Sequence, residues 1–164
     1  MSKYFFWFII CIVLAIVLLF VFGKEYMLRS ASKKLVSLPD RSVIDVEVGG
    51  TSFSVELVNS PESIVQGLSG RDSIGNDGML FAFPTETPVT FWMRDMLFDI
   101  DIVWLSQTEV LGVVASAPHP KPFTPLEKLP LYSSTTAVGM VLELPAGTAE
   151  KQGIQAGSPV VIKY

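Results

Sequence analysis

The stretch Thr90–Leu105, TFWMRDMLFDIDIVWL, sets one arginine and three aspartates among two tryptophans, two phenylalanines and two methionines. Charges in such apolar company cost several kcal/mol unless they are paired or face water. Two arrangements fit. In the first, alternation from Phe98 turns Ile100, Ile102 and Trp104 to one face and Asp99, Asp101 and Val103 to the other, with the aspartates in water. Arg94 then pairs with Asp99, Asp101 or Glu143 and fixes the corner, since Arg94 is the one lysine or arginine between Arg71 and Lys121. In the second, Asp95, Asp99, Asp101 and Glu143 converge on a hard cation such as calcium or magnesium, the basis of a metal-assisted hydrolase. No ligand-loop spacing supports this second arrangement, so no metal ligand and no cofactor is assigned.

Nucleophilic chemistry finds little footing. His119 is the single histidine and sits between prolines in APHPKPFTP, which marks an exposed loop. Cys11 is the single cysteine and lies in the N-terminal apolar run, which rules out disulfides and thiolate zinc sites in the rest of the chain. Ser133, Ser134, Thr135 and Thr136 stand in no nucleophile-elbow context. The glycines of GRDSIGNDG and PAGTAEKQG precede no lysine at phosphate-loop spacing and serve turns instead. No catalytic residue is assigned, and the balance is against an enzyme.

What remains is a surface rich in aromatics and methionine, suited to recognition as well as to core filling. The candidate binding residues are Trp92, Met93, Arg94, Asp95, Asp101 and Glu143. The proline-rich stretch Pro118–Pro130 forms a long loop over this patch or a segment for a partner.

These residues must be positioned by short strands. SVIDVEVGG and TSFSVELV make a hairpin about Gly49-Gly50, with Ile44, Val46 and Val48 on one face of the first strand and Phe53, Val55 and Leu57 on one face of the second. SPESIVQG predicts a short helix with Ser60 as its N-cap, Pro61 in the first turn and Gly67 as its stop. GMLFAF, FDIDIVWL, EVLGVVASA and AVGMVLEL predict four further strands. GTAEKQG predicts one helical turn capped by Thr148, and PVVIKY a last strand. Glu143, between Leu142 and Leu144, points away from the face they bury. The pattern implies a mainly β domain, a compact β-sandwich or barrel-like fold with one or two short helices, rather than alternating βα units.

Ahead of this domain, Phe5–Phe22 is apolar without interruption. As a helix it would span roughly 27 Å, the thickness of a bilayer core, so residues 1–23 are expected to be a transmembrane anchor. Ser30–Ser32 is a poor cleavage site, which favours an uncleaved anchor. Residues 24–42 form a polar juxtamembrane linker and 43–164 the β domain. Lys24, Arg29, Lys33 and Lys34 would hold the domain in the cytoplasm by charge counting, whereas the short N-terminal tail and signal-like anchor favour export. From Leu35 onward seven Lys or Arg face fifteen Asp or Glu, a net charge of −8, which argues against nucleic acid as a partner.

GLSGRDSIGNDGMLFAFP, FWMRDMLFDIDIVWL and VLELPAGTAEKQGIQAGSPVVI, in this order, resemble the three blocks of domain of unknown function family 192. The resemblance covers Val65 to Ile162 and implies a compact β domain behind a signal peptide or anchor, with no reaction attached. Asp95-Met96 departs from the family's usual asparagine-threonine, and Asp99 from its usual proline. The family habit tips the orientation towards an extracytoplasmic domain. The expectation is therefore a binding or accessory module of the cell envelope, with a protein or small-molecule ligand.

Overall fold

A computed structural model describes residues 3–163, and the side chains of 7–23 and 33–163. A long helix, α1 (Lys3–Val36), leads into β1 (Val43–Val48), β2 (Thr51–Val58), α2 (Pro61–Gln66), β3 (Gly78–Thr87), β4 (Thr90–Trp92), β5 (Ile100–Leu105) and β6 (Val110–Ala117). A 3₁₀ turn at Leu126–Lys128, β7 (Leu131–Ser133), β8 (Val138–Pro145), α3 (Thr148–Lys151) and β9 (Val160–Lys163) complete the chain.

Seven strands form one sheet in the order β6-β5-β8-β3-β2-β1-β9, and β4 and β7 form a separate ribbon. The hairpin β1–β2 turns at Gly49 and Gly50, both at positive φ, the conformation that a two-residue connection needs. Ser60 and Ser63 form a reciprocal capping box at the start of α2, which Pro61 opens and Gly67 ends at a φ of 48°. The carboxylate of Asp40 adds to this cap, accepting from Asn59 N, Ser60 N and the Ser63 hydroxyl. The α2 crossover makes β2 and β3 parallel, the one βαβ-like step in a sheet whose other pairings are antiparallel. The sheet curls until its edges meet: Val110 N donates to Ser158 O, Gly157 N to Val110 O and Val160 N to Thr108 O.

Both faces of the curled sheet are covered. The inner face packs Val46, Val55, Leu57, Leu80, Val103, Met140 and Leu142, closed by Leu35, Ala149 and Ile154. The outer face packs Met79, Phe81, Ile100, Ile102, Trp104 and Val141 beneath Met93, Met96 and the β4–β7 ribbon. The alternation expected in β5 is present, but all six of its residues are buried. The expected exposure of Asp101 is thus overturned, because α3 covers the end of the face that was expected to meet water.

Helix α1 continues to Val36, where Leu35 is buried in the inner core, and the Asn59 amide donates to the carbonyls of Leu35, Val36 and Leu38. The expected linker therefore begins as helix, and the side chains of 24–32 lie outside those described. Among the described residues no helix is long and apolar enough to cross a membrane. The described side chains here run from Trp7 to Gly23, so Phe5 and Phe6 of the apolar run lie outside them.

Candidate functional site: the Glu143 cavity

Strand β8 carries Leu142 and Leu144 inward, so Glu143 points outward, under the ribbon and the end of α2. The residue is 6% exposed, and its Oε2 is buried without a hydrogen bond. Burial alone drives the carboxyl up from the usual range to about 8, because removal from water penalises the charged form and no cation compensates. The expected partnership with Arg94 is absent.

Above Glu143 lies a cavity of about 210 Å³. Gly67, Leu68 and Ser69 at the end of α2 form one side, and Phe81, Phe91, Trp92 and Met96 form the other. Phe91 stands edge-on to both Phe81 and Trp104, with centroids 4.9 and 5.8 Å away, which holds the aromatic wall in place. A glycine keeps the site open: a Cβ on Gly67 would lie 3.3 Å from the Phe81 ring.

The turn after β4 seals this side. Ser69 Oγ donates to Arg94 O and Gly70 N to Asp95 O, while Asp95 takes a φ of 54°. Met93 is buried by this turn. Arg94 projects into solvent, 3.2 Å from the Asp95 carboxylate and with its guanidinium 5.8 Å from the Trp92 ring centre. The proposed corner partner is thus its own neighbour, because the turn aims Arg94 away from the sheet.

The other carboxylates disperse. Asp99 accepts from both the backbone N–H and the ring Nδ1 of His119, at 2.8 and 2.6 Å, and these bonds hold its carboxyl below the usual range. His119, expected in an exposed loop and half exposed there, lines with Arg94, Asp95, Met96 and Lys121 a second cavity of about 510 Å³. Asp101, 0% exposed, accepts from Ser116 N, Gly147 N and Ala149 N at 2.8, 3.1 and 2.7 Å. It thereby caps α3, a role expected of Thr148, and three backbone N–H groups stand where a cation would. Asp101 and Glu143 lie on opposite faces of adjacent strands, Asp101 paired with Leu144 and Ile102 with Glu143. Convergence on a cation is therefore overturned: among the described residues no three His, Cys, Asp or Glu side chains could hold a metal.

Of the six candidate residues, the geometry brings Trp92 and Glu143 together at one cavity; Arg94 and Asp95 line its neighbour, and Met93 and Asp101 are structural. Phe81, Phe91, Ser69 and Gly67 went unmarked as site residues. Their signal was the glycine-flanked end of α2, which lies across the cavity from the ribbon.

A family model, DUF192, described as an uncharacterized ACR, matches residues 44–162. The chain belongs to the DUF192 family. A solved protein of unknown function from Novosphingobium aromaticivorans DSM 12444 is similar to this DUF192 domain at 28% identity and a TM-score of 0.62, over 73% of this chain and 84% of that one. A candidate transcription regulator from Sinorhizobium meliloti 1021 is similar at 26% identity and a TM-score of 0.65, over 77% of this chain and 98% of that one. No curated protein matches the chain.

Proposed function

We propose that this DUF192 protein is a membrane-anchored binding module of the cell envelope whose β domain takes a small, largely apolar ligand in the Glu143 cavity. One observation carries the reading: a buried carboxyl with an unpartnered oxygen lines a cavity walled by Phe81, Phe91 and Trp92. A polar group left so costs about 1–3 kcal/mol, and a ligand that supplies the missing hydrogen bond recovers part of it. A few placed polar groups in an apolar cleft are the ordinary makeup of a ligand site. The volume, about 210 Å³, suits a single ring or a short chain.

The anchor reading rests on α1. Its described side chains from Trp7 to Phe22 are apolar and mostly exposed, with no surface of the domain packed on them. Lipid is the medium that removes such a surface from water. The extracytoplasmic side follows the family's habit. The net charge of −8 from Leu35 onward argues against nucleic-acid binding, so the transcription regulation named for the Sinorhizobium neighbour finds no support in this chain's charge.

The test is a screen of small neutral and charged ring compounds against the full-length chain in a maltoside detergent, read by the ¹³C-methyl signal of Met96. Binding at the cavity moves that signal, and Phe91→Ala weakens the response about tenfold or more. A screen in which no compound moves Met96 sinks the reading.

A further inference from the structure

The cavity's charge pattern points to its ligand. Among the lining residues Glu143 is the one ionisable group; the rest are apolar or neutral, with Gln66, Ser69 and Thr90 as the polar members. Such a site can be neutral or negative but never positive, so it disfavours anions. Its arginine neighbours carry partners of their own: Arg94 pairs with Asp95 outside the wall, Arg71 with Glu56, and Arg41 with Glu56 while also donating to the Oε1 of the lining residue Gln66 at 2.9 Å. Phe81, Phe91 and Trp92 add π-faces, which attract cations. Trp92 already takes the Arg94 guanidinium at 5.8 Å, and Asp95 offsets that charge at the rim.

We infer that the Glu143 cavity binds a small primary amine as its ammonium ion, with the nitrogen on the Glu143 carboxylate and the hydrocarbon part against Phe81, Phe91 and Trp92. The inference rests on the binding reading above and specifies its ligand. The ammonium group supplies N–H donors to an oxygen that the chain itself leaves without one. The buried carboxyl escapes the cost of a desolvated charge by keeping its proton, so the ion pair has to offset the cost of ionising it, a cost that shrinks as pH rises towards 8. Near neutral pH the acid starts protonated, since burial holds it up at about 8. The amine arrives as R–NH3⁺, the carboxyl releases its proton to water, and the ion pair forms, with one proton released per amine bound.

Benzylamine and its neutral isostere benzyl alcohol, titrated into the full-length chain and read at the Met96 methyl, separate the possibilities. The expected result is that benzylamine affinity rises about tenfold from pH 6 to 7 and flattens beyond 8, while benzyl alcohol affinity stays level. Glu143→Gln should lose about tenfold or more in benzylamine affinity together with its pH slope, and keep benzyl alcohol. Benzyl alcohol binding as tightly as benzylamine at pH 8, or a flat benzylamine profile in the wild type, overturns the amine inference while the binding reading survives. Silence of Met96 towards both compounds overturns the inference, and the wider screen then decides the binding reading separately. The wild-type pH profile stands whether or not the variant folds.

Discussion

Glu143 holds its proton through most of the neutral range because burial penalises its charged form and no cation stands beside it. Its folded pKa, about 8, lies above the ordinary glutamate value, so the native state binds the extra proton between those limits. Stability from this residue is fully present below about pH 4.3 and is lost as pH rises towards 8, at roughly 1.4 kcal/mol per pH unit. Urea unfolding of the wild type and Glu143→Gln across pH 5–8 should show the gap closing or reversing in that direction; parallel profiles would disprove it. Arg94 carries the opposite expectation. Its partner is an exposed neighbour, so Arg94→Met should cost no more than about 1 kcal/mol. A melting point more than a few degrees lower would show that Arg94 carries more than this exposed pair. At this scale the sequence told the outward aim of Glu143, through its leucine neighbours, but not its isolation. Arg94 stood as a candidate partner because it is the one cation between Arg71 and Lys121, and the left-handed turn at Asp95 undid that.

Helix α3 depends on a residue from another strand. Asp101, on β5, receives the N–H groups of Gly147 and Ala149 across a separation of 46 and 48 residues, and that of Ser116 from β6. Asp101→Ala would leave the buried Ala149 N–H and the part-buried N–H groups of Gly147 and Ser116 without their acceptor, at a cost of roughly 3 kcal/mol. Asp101→Asn keeps one acceptor oxygen and should cost less. Equilibrium unfolding of both variants checks the ranking; equal, small losses would show that water replaces the cap. Local signals made some elements legible. The Gly49-Gly50 hairpin and the Ser60 capping box are written within a few neighbouring residues. The α3 cap and the β4–β7 ribbon were not legible, because a distant carboxylate makes the one and three-residue strands make the other.

At the scale of the whole chain, α1 exposes apolar side chains along its described length while its end is fastened to the domain through Leu35 and Asn59. Alkaline carbonate extraction of membranes should leave the full chain in the pellet; release into the supernatant would refute the anchor. The apolar run was plain in the sequence, as was the β-rich character of the rest. The parallel pairing of β2 with β3 was hidden, since α2 is short enough to pass for a loop helix between antiparallel strands. The meeting of the sheet's edges has a consequence for synthesis. The segment that joins them, Gly157–Val160, follows β1–β8 in chain order and runs into β9, which also supplies the outer neighbour of β1. At roughly 5–20 residues per second the ribosome takes about two to eight seconds over the ~40 residues between the end of β6 and Gly157, and the sheet's edges stay apart at least that long. During that interval β1 and β6 offer unpaired backbone edges to any neighbouring strand. The protein's exposure to misassembly is thus set by how quickly β9 follows β6 out of the ribosome and docks.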